Sequence, residues 1–268
     1  MPAQPTPRGT ALITGASSGI GETLAGLFAA DGYNLILVAR SADKLKSLAA
    51  DLADQHGIKA SAEPADLTQP GAAAALLARL KRKRRTVDIL VNNAGVLESG
   101  GFLSISAAKH QQIIDLNVAG LTAMLSAFVP PMVARGQGRV MNLASIAAFQ
   151  PIPALASYAA SKAYVLSLSE SLGEELKGTG VTVTAVCPGI TATSMLSGAK
   201  ESNASLQKLP GFLIGDVNQV ARQAYAACMK GQAVCVPGAI NQAMALGSRS
   251  SPKWLVRALG GVIGRKTL

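Results

Sequence analysis

A tyrosine and a lysine stand four residues apart in the segment Tyr158-Ala159-Ala160-Ser161-Lys162. The segment begins a helical pattern, and residues four apart lie on the same face of a helix. A free phenol has a pKa of about 10, and a neighbouring ammonium group favours its ionised form. Tyr158 beside Lys162 is therefore a candidate proton donor and acceptor for a reacting oxygen.

A serine and an asparagine upstream could extend this pair. Ser145 stands 13 residues before Tyr158, just after the apolar run Gly138–Leu143, and Asn117 lies inside the long helical pattern Ser106–Arg135. Taken singly, Ser145 could be an ordinary helix cap and Asn117 a local polar residue, so the prediction depends on all four occurring together.

A glycine-rich turn follows the first predicted strand. Thr14 leads into Gly15-Ala16-Ser17-Ser18-Gly19-Ile20-Gly21, and a helical pattern begins at once. Gly15 permits a tight turn, Gly19 lets the backbone approach a pyrophosphate, and Gly21 allows close contact between helix and strand. The helix N-terminus then offers unpaired N–H groups to phosphates. The sequence predicts a dinucleotide site here, and a structural turn without a ligand is the alternative.

These motifs together resemble the short-chain dehydrogenase/reductase family, whose fingerprint is Thr-Gly-x-x-x-Gly-x-Gly and whose catalytic tetrad is Asn, Ser, Tyr and Lys. The resemblance covers about residues 10–240. It implies hydride transfer between a nicotinamide cofactor and a carbonyl or secondary alcohol, with Tyr158 as proton donor. It also implies that Ser145 polarises the substrate oxygen and that Lys162 binds the nicotinamide ribose and lowers the Tyr158 pKa. Asn117 would hold a helix irregularity and a water that pass protons to Lys162.

Further segments match the family's cofactor motifs. Asp66 stands where the family contacts adenine, although capping of the next helix would explain it as well. Asn93-Ala94-Gly95 resembles the cofactor-wall motif, and Pro188-Gly189 resembles the nicotinamide-side motif. The predicted cofactor residues are Gly15, Ser17, Ser18, Gly19, Ile20, Gly21, Arg40, Asp66, Leu67, Asn93, Ala94, Gly95, Tyr158, Lys162, Pro188, Gly189, Thr191 and Thr193.

The end of the second predicted strand favours NADP(H) over NAD(H). An NAD-specific site carries an acidic residue that accepts a hydrogen bond from the ribose 2′-OH. Here the uncharged Ala39 occupies that place, and Arg40 follows it. A guanidinium group suits a 2′-phosphate because it is permanently charged and donates in a fork. A solvated arginine at a strand end is the alternative.

Short apolar runs alternate with helical patterns along the chain, which predicts parallel βαβ units. With the resemblance, this gives an α/β fold with a Rossmann-like, doubly wound parallel sheet of about seven strands in the order 3-2-1-4-5-6-7. The predicted strands are Thr10–Thr14, Asn34–Ala39, Lys59–Ala65, Asp88–Asn92, Gly138–Leu143, Val181–Cys187 and Ala233–Val236. The predicted helices are Gly19–Asp31, Ala42–Gln55, Gln69–Arg84, Ser106–Arg135, Ser157–Lys177 and Asp216–Lys230.

One domain is expected over residues 10–238, preceded by a disordered lead at 1–9 and followed by an extension at 239–268. Within the domain, residues 192–215 are expected to form a lid. The substrate residues predicted are Ser145, Phe149, Gln150, Ile152, Tyr158, Met195 and Phe212. Their apolar character and that of the lid favour a lipophilic or acyl substrate, while packing of the lid on the core is the alternative.

The net charge of +10 raises the question of anionic partners. The densest basic run, Lys81–Arg85, ends a helical pattern where cations suit the helix dipole, so no nucleic acid is expected. In Lys253–Lys266 apolar residues share one helical face, which favours docking in an oligomer, with peripheral membrane contact as the alternative. The resemblance suggests a homodimer or homotetramer.

The three cysteines and two histidines show no metal-ligand spacing, so no metal site is expected. An odd number of cysteines without a recognisable secretion signal favours the cytoplasm. Besides the oxidoreductase, two other function classes stay open. A regulatory protein that binds NADP(H) would not need the proton relay, and a basic membrane or nucleic-acid adaptor would need binding that falls steeply with salt.

Overall fold

The computed structural model describes residues 8–193, 196–197 and 214–250. These residues form a seven-stranded sheet in the order β3-β2-β1-β4-β5-β6-β7, and every neighbouring pair is parallel. This confirms the predicted fold class and strand order. The strands are β1 (Thr10–Thr14), β2 (Asn34–Val38), β3 (Ala60–Ala62), β4 (Ile89–Asn92), β5 (Gly138–Leu143), β6 (Val181–Val186) and β7 (Val234–Cys235).

Helices cover both faces of the sheet. They are α1 (Gly19–Ala30), α2 (Ala42–His56), α3 (Ala72–Arg82), α4 (Ala107–Ile114), α5 (Leu121–Ala134), α6 (Ala156–Glu175), α7 (Val217–Met229) and α8 (Ala239–Ser250). The predicted helix Ser106–Arg135 is α4 and α5 joined by a π-helical turn, Asp115–Gly120. Helix α8 was not predicted, and β3 is shorter than the predicted strand Lys59–Ala65.

Two apolar layers hold the sheet between the helices. On one face, Leu12 and Leu90 pack with buried residues of α3, α5 and α6. On the other face, Ile13 and Leu35 pack with buried residues of α1, α2 and α7. Side chains alternate across a strand, and both faces are covered, so the strands are apolar throughout rather than at every second residue.

The continuous helix Ala107–Ala134 is long and apolar enough to cross a membrane. Its α5 half buries Met124, Phe128 and Met132 completely in the core layer shared with α3 and α6. Core packing therefore explains its composition.

The basic run Lys81–Arg85 is only in part a solvated helix end. The Glu63 carboxylate is 3% exposed, and it is paired with Lys83 and with Arg79, whose Nε lies 3.5 Å from Glu63 Oε2. Arg85 hydrogen-bonds the Ser61 hydroxyl on β3. Several of these cations therefore fasten the edge strand β3 to α3, because a buried carboxylate needs opposite charge nearby.

Some predictions lie outside the described residues. Residues 1–7, most of the predicted lid and the extension beyond 250 belong to this group, as do Met195 and Phe212. The predicted domain boundaries stay predictions. Arg8, at the start of the described chain, forms an ion pair with Asp31 at 2.8 Å.

Candidate active site

The turn between β1 and α1 requires its glycines. Gly15 and Gly19 have φ angles of +64° and +59°, a region that L side chains rarely adopt. A Cβ on Gly21 would overlap the Gly15 carbonyl oxygen and the Asn93 amide. A Cβ on Gly19 would lie 3.1 Å from the Thr193 methyl group, so Thr193 covers the turn.

Thr14 joins this turn to the end of β4. Its Oγ1 accepts hydrogen bonds from the backbone N–H groups of Asn93 and Ala94, both at 3.0 Å, and donates to the Val91 carbonyl at 3.2 Å. The Asn93 amide donates in return to the Thr14 and Gly15 carbonyls at 3.0 and 3.1 Å. The motif around Asn93 thus fixes the backbone of the glycine turn.

An open cleft begins at this turn and runs over the carboxyl ends of β1, β2 and β4. Ligands of open α/β sheets bind at this edge. The cleft is lined by Gly15, Ser17, Ser18, Gly19, Ile20, Val38, Ala39, Arg40, Ser41, Ala65, Asp66, Leu67, Thr68, Asn93, Ala94, Gly95, Val96, Gln112, Leu116 and Thr193. The positive-φ glycines leave the backbone bare, and the N-terminus of α1 faces the same cleft, so the residues present fit a dinucleotide.

Arg40 and Asp66 stand on the cleft wall at the ends of β2 and β3. The Asp66 Oδ1 accepts from the Thr68 hydroxyl at 2.8 Å and from the Thr68 N–H at 3.0 Å. These two hydrogen bonds lower the pKa of the Asp66 carboxyl, and the charge of Arg40 lowers it further. Asp66 therefore caps its own turn and lines the cleft, but the N-cap of the next helix, α3, is Gly71. The contact of Asp66 with adenine stays a prediction.

Tyr158 and Ser145 meet at the first turn of α6. Tyr158 is 8% exposed, and Ser145 ends the segment that leaves β5. The Ser145 Oγ accepts from the Ala147 N–H at 3.1 Å. The Ser145 side chain also lies close enough to the Tyr158 phenol to act against the rise in the Tyr158 pKa. Ser145 is thus a cap, as the alternative interpretation held, and is at the same time a neighbour of the phenol.

Lys162 lies one helical turn below Tyr158 and is buried. Its Nζ donates to the Leu143 carbonyl at 2.7 Å and lies 5.7 Å from the centre of the Tyr158 ring. A Cβ on Gly95 would lie 3.5 Å from this Nζ and 3.2 Å from the Asn117 Oδ1. Gly95 therefore lets the cleft wall approach Lys162 and Asn117 closely.

Asn117 lies in the π-helical turn and is 1% exposed. Its amide donates to the Val96 carbonyl at 2.9 Å and to the Ser161 hydroxyl at 3.1 Å, and its Oδ1 accepts from the Val96 N–H at 2.9 Å. The helix irregularity implied by the resemblance is present. Asn117 connects it to the cleft wall after β4 and to α6.

The pKa of the tyrosine differs from the expectation. Burial raises the pKa of Tyr158, and only the hydrogen bond from Ser145 acts in the opposite direction. Burial also lowers the pKa of Lys162 to about 8. Desolvation of both groups therefore outweighs the stabilisation of tyrosinate by ammonium that the sequence predicted.

The segment after β6 carries the predicted nicotinamide-side residues. The Thr191 hydroxyl donates to the Gly189 carbonyl at 3.0 Å, and Thr191 pairs with Gly215 in an isolated bridge. Pro188 accepts from the Ile146 N–H at 2.9 Å, which ties this segment to the turn after Ser145. Pro188, Gly189 and Thr191 do not line the cleft described above, and neither do Tyr158 and Lys162.

The predicted substrate residues separate into different environments. Ile152 packs with Tyr158, whereas Phe149 packs against the core layer under α6. The Gln150 side chain hydrogen-bonds Ser248 of α8 at 3.2 Å. Leu97 also packs beside Tyr158 and was not predicted, because no pattern in the segment after Gly95 singles it out.

Other cleft residues were missed as well. Gln112 and Leu116 line the cleft from α4 and from the π-helical turn. They are four residues apart, yet nothing in an apolar helix shows which of its faces will border a ligand. Thr14 is the first residue of the family's glycine motif, but the spacing of that motif does not predict the hydrogen bonds of Thr14 with Asn93 and Ala94.

Comparison with known proteins shows the family of this chain. Residues 9–204 match the family described as short chain dehydrogenase. The chain therefore belongs to the short-chain dehydrogenase/reductase family, and it is an oxidoreductase of the alcohol dehydrogenase type with the nicotinamide cofactor, NAD(P)(H), typical of that family.

The chain is 40% identical over 196 residues to oxidoreductase UcpA of Escherichia coli K12, which covers 72% of this chain and 74% of that protein. Among solved structures, it resembles a short-chain dehydrogenase from Sphingobium yanoikuyae in complex with NADPH, with 36% identity, a TM-score of 0.80 and 95% of each chain covered. It also resembles the bulky-bulky ketone specific alcohol dehydrogenase from Comamonas testosteroni, with 32% identity, a TM-score of 0.76 and 96% and 94% covered.

Proposed function

We propose that this protein is an NADP(H)-dependent oxidoreductase that interconverts a ketone and a secondary alcohol on a lipophilic substrate. The observation that carries the proposal is that Tyr158 lies beside Ser145, while Lys162 and Asn117 lie behind Gly95. Gly95 is part of the wall of the cleft that begins with the glycine turn. A regulatory protein needs only the cleft, so the buried proton-carrying groups favour the enzyme.

In the reductive direction, Ser145 and Tyr158 both act on the carbonyl oxygen of the substrate. The bound cofactor supplies the hydride that the carbonyl carbon accepts. The Ser145 hydroxyl hydrogen-bonds the substrate oxygen, on which negative charge develops. The Tyr158 phenol gives its proton to the same oxygen.

Lys162 and Asn117 lie behind Tyr158 and support the supply of its proton. Lys162 has a pKa of about 8, so it can exchange a proton near neutral pH, and it would hold the nicotinamide ribose across Gly95. Asn117 fixes the Val96 backbone and Ser161, so it is a positioning residue for this end of the relay.

The preference for NADP(H) is supported by Arg40. Its exposed guanidinium lines the cleft beside the uncharged Ala39, and among the described residues no carboxylate forms an ion pair with it. The Sphingobium relative was solved with NADPH. A guanidinium that has no ion-pair partner in the described part of the chain suits a phosphate group.

The lipophilic substrate is supported by Ile152 and Leu97, which pack beside Tyr158. The Comamonas relative is described as specific for bulky ketones. An acyl substrate, a homodimer or homotetramer and a cytoplasmic location stay predictions.

The test is oxidation of NADPH, and of NADH, with a panel of ketones, aldehydes, quinones and 3-oxoacyl thioesters. We expect turnover with bulky ketones and NADPH. Tyr158→Phe should keep its affinity for NADPH, measured by fluorescence titration, and lose turnover by a factor of about 10² or more. Near-normal turnover of this variant would remove Tyr158 from the proton-donor role, and tight NADPH binding without turnover on any class would favour the regulatory protein.

A further inference from the structure

Helix α8 lies across the carboxyl ends of three strands. It begins after β7, at Pro237-Gly238, contacts Gly189 after β6, and near its end contacts Gln150 after β5. Neighbouring strands are about 4.8 Å apart, and a helix of 12 residues is about 18 Å long, so α8 can span these three strand ends. Ligands bind at this edge of the sheet in open α/β folds.

The first contact is between Asn241 and Gly189. The Asn241 amide donates to the Pro237 carbonyl at 2.7 Å, which fixes the orientation of its side chain. A Cβ on Gly189 would lie 2.6 Å from both the Cγ and the Nδ2 of Asn241. The Asn241 side chain therefore lies directly on the Gly189 backbone, in the segment that the family resemblance assigns to the nicotinamide side.

The second contact is between Ser248 and Gln150. The Ser248 Oγ lies 3.2 Å from the Gln150 Oε1 and 2.8 Å from the Met244 carbonyl of its own helix. Gln150 ends the short helix Ile146–Phe149, which Ser145 caps. Ser248 thus holds the turn that leads out of Ser145.

Both contacts use one face of α8. Asn241 and Ser248 are seven residues apart, about two helical turns, and the buried Ala245 lies between them on the same face. Gln242 is turned about 100° away from this face and is exposed, and its amide donates to the Val236 carbonyl after β7 at 3.0 Å. Because one rigid helix carries both contacts, it fixes the segment after β6 relative to the segment after β5.

We propose that Asn241 and Ser248 are positioning residues for the reaction, with separate tasks. Asn241 holds the Gly189 backbone in the shape that binds the nicotinamide half of the cofactor. Ser248 holds Gln150 and the turn after Ser145 in the shape that receives the carbonyl substrate. The inference rests on the proposed function for its substrate half, whereas the cofactor half can be measured by binding alone.

The experiment compares Asn241→Ala, Ser248→Ala and the control Gln242→Ala in the full chain. The control is matched because it also removes a polar side chain of α8 and one hydrogen bond, but that bond leads to the end of β7. The loss of one hydrogen-bonded or packed polar contact should change an affinity by roughly two- to twelvefold.

The two variants should affect different constants. We expect Asn241→Ala to raise the Kd for NADPH, measured by fluorescence titration, and to leave the KM of the most rapidly reduced ketone unchanged. Ser248→Ala should raise that KM and leave the NADPH Kd unchanged. Gln242→Ala should change neither by more than about twofold, because surface substitutions away from a site have small effects.

A double-mutant cycle tests the Asn241–Gly189 contact itself. Gly189→Ala should weaken NADPH binding because the new Cβ meets the Asn241 side chain, and Asn241→Ala removes the atoms that it meets. The double variant should therefore bind NADPH more tightly than the sum of the two single losses predicts. If the losses in NADPH binding are strictly additive, Gly189→Ala weakens binding for a reason other than the contact with Asn241. That result would overturn the positioning role of Asn241.

The outcomes separate this inference from the proposed function. If the wild type reduces ketones but both variants behave like Gln242→Ala, the inference is wrong and the function stands. If both variants lose stability and all affinities together, α8 is only a structural element and the inference is wrong as well. If the wild type binds NADPH but reduces no ketone, the proposed function fails, and the NADPH titrations of the cycle still decide the role of Asn241.

Discussion

Replacement of Arg40 by alanine should change the choice between NADPH and NADH. Arg40 is exposed on the cleft wall, next to Ala39 and close enough to Asp66 to lower the pKa of that carboxyl. Its guanidinium can donate two parallel hydrogen bonds to a phosphate, and a hydrogen bond to a charged group contributes about 1.5–3 kcal/mol. Because the site is open to solvent and screened by salt, we expect a total effect near that of one such bond.

This free energy corresponds to a roughly 10- to 150-fold fall in the ratio of kcat/KM for NADPH to that for NADH. Most of the fall should come from weaker NADPH binding, with little change for NADH. The assay is cofactor oxidation at a fixed ketone concentration, with each cofactor titrated at low and at high salt. In the wild type the ratio should fall as salt is added, and in Arg40→Ala it should fall less steeply.

The matched control is Arg82→Ala, which removes an exposed arginine at the end of α3, outside the cleft. It changes the net charge by the same amount, so it measures any general electrostatic effect on an anionic cofactor. The assignment of the 2′-phosphate site would be refuted if the Arg40 variant kept the wild-type ratio, or if the Arg82 variant lost as much.

Three further changes test other parts of the structure. Ala154 has a φ of +64° in the segment between Ser145 and Tyr158, a left-handed conformation that costs an alanine roughly 1–2 kcal/mol. Ala154→Gly relieves this cost but loses more backbone entropy on folding, so the free energy of unfolding in urea should rise by up to about 1 kcal/mol. A fall would contradict this strain. Gly21→Ala should destabilise the fold and abolish NADPH binding in titration, because its Cβ overlaps the Gly15 carbonyl; unimpaired binding would show that the turn can widen. Lys162 has its pKa lowered from 10.5 to about 8 by burial, so the unfolded chain binds more protons between these values, and the stability of the wild type relative to Lys162→Met should rise as pH increases from 8 towards 10.5. A difference that is flat with pH in urea titrations would show that Lys162 is not desolvated.

Much of the fold could be predicted because most of its helices and strands have their pattern in the local sequence. Apolar runs covered on both faces gave the strands, and the glycine turn between β1 and α1 gave the first βαβ unit. The catalytic residues of the candidate site were predicted from the family resemblance. Parallel strands place their carboxyl ends, and the start of the helix that follows each strand, at one edge of the sheet. For that reason Ser145 and Tyr158 lie together although a long segment separates them.

Helix α8 could not be predicted because it packs on loops and not on the sheet. The face that it buries consists of Asn241, Ala245 and Ser248, which are small or polar, whereas its large apolar residues Ile240, Met244 and Leu246 are exposed. The apolar pattern of its sequence therefore does not mark the face that it buries. The left-handed conformation of Ala154 could not be predicted from the sequence either. Its backbone is held from outside by a hydrogen bond from the Gly100 N–H to the Ala154 carbonyl, at 2.9 Å.

The π-helical turn Asp115–Gly120 has a consequence for how this region can tolerate changes in length. A π turn accommodates an additional residue, so α4 and α5 are out of phase by one residue, or about 100° around the helix axis. This phase difference lets one continuous helix turn Gln112 to the cleft while Phe128 stays in the core. Deletion of a single residue here would restore a regular helix and rotate the α4 half away from the cleft without unfolding it. Unlike the surface loops, this turn therefore has a fixed length, because the face of α4 towards the cleft and the face of α5 towards the core must keep their relative rotation.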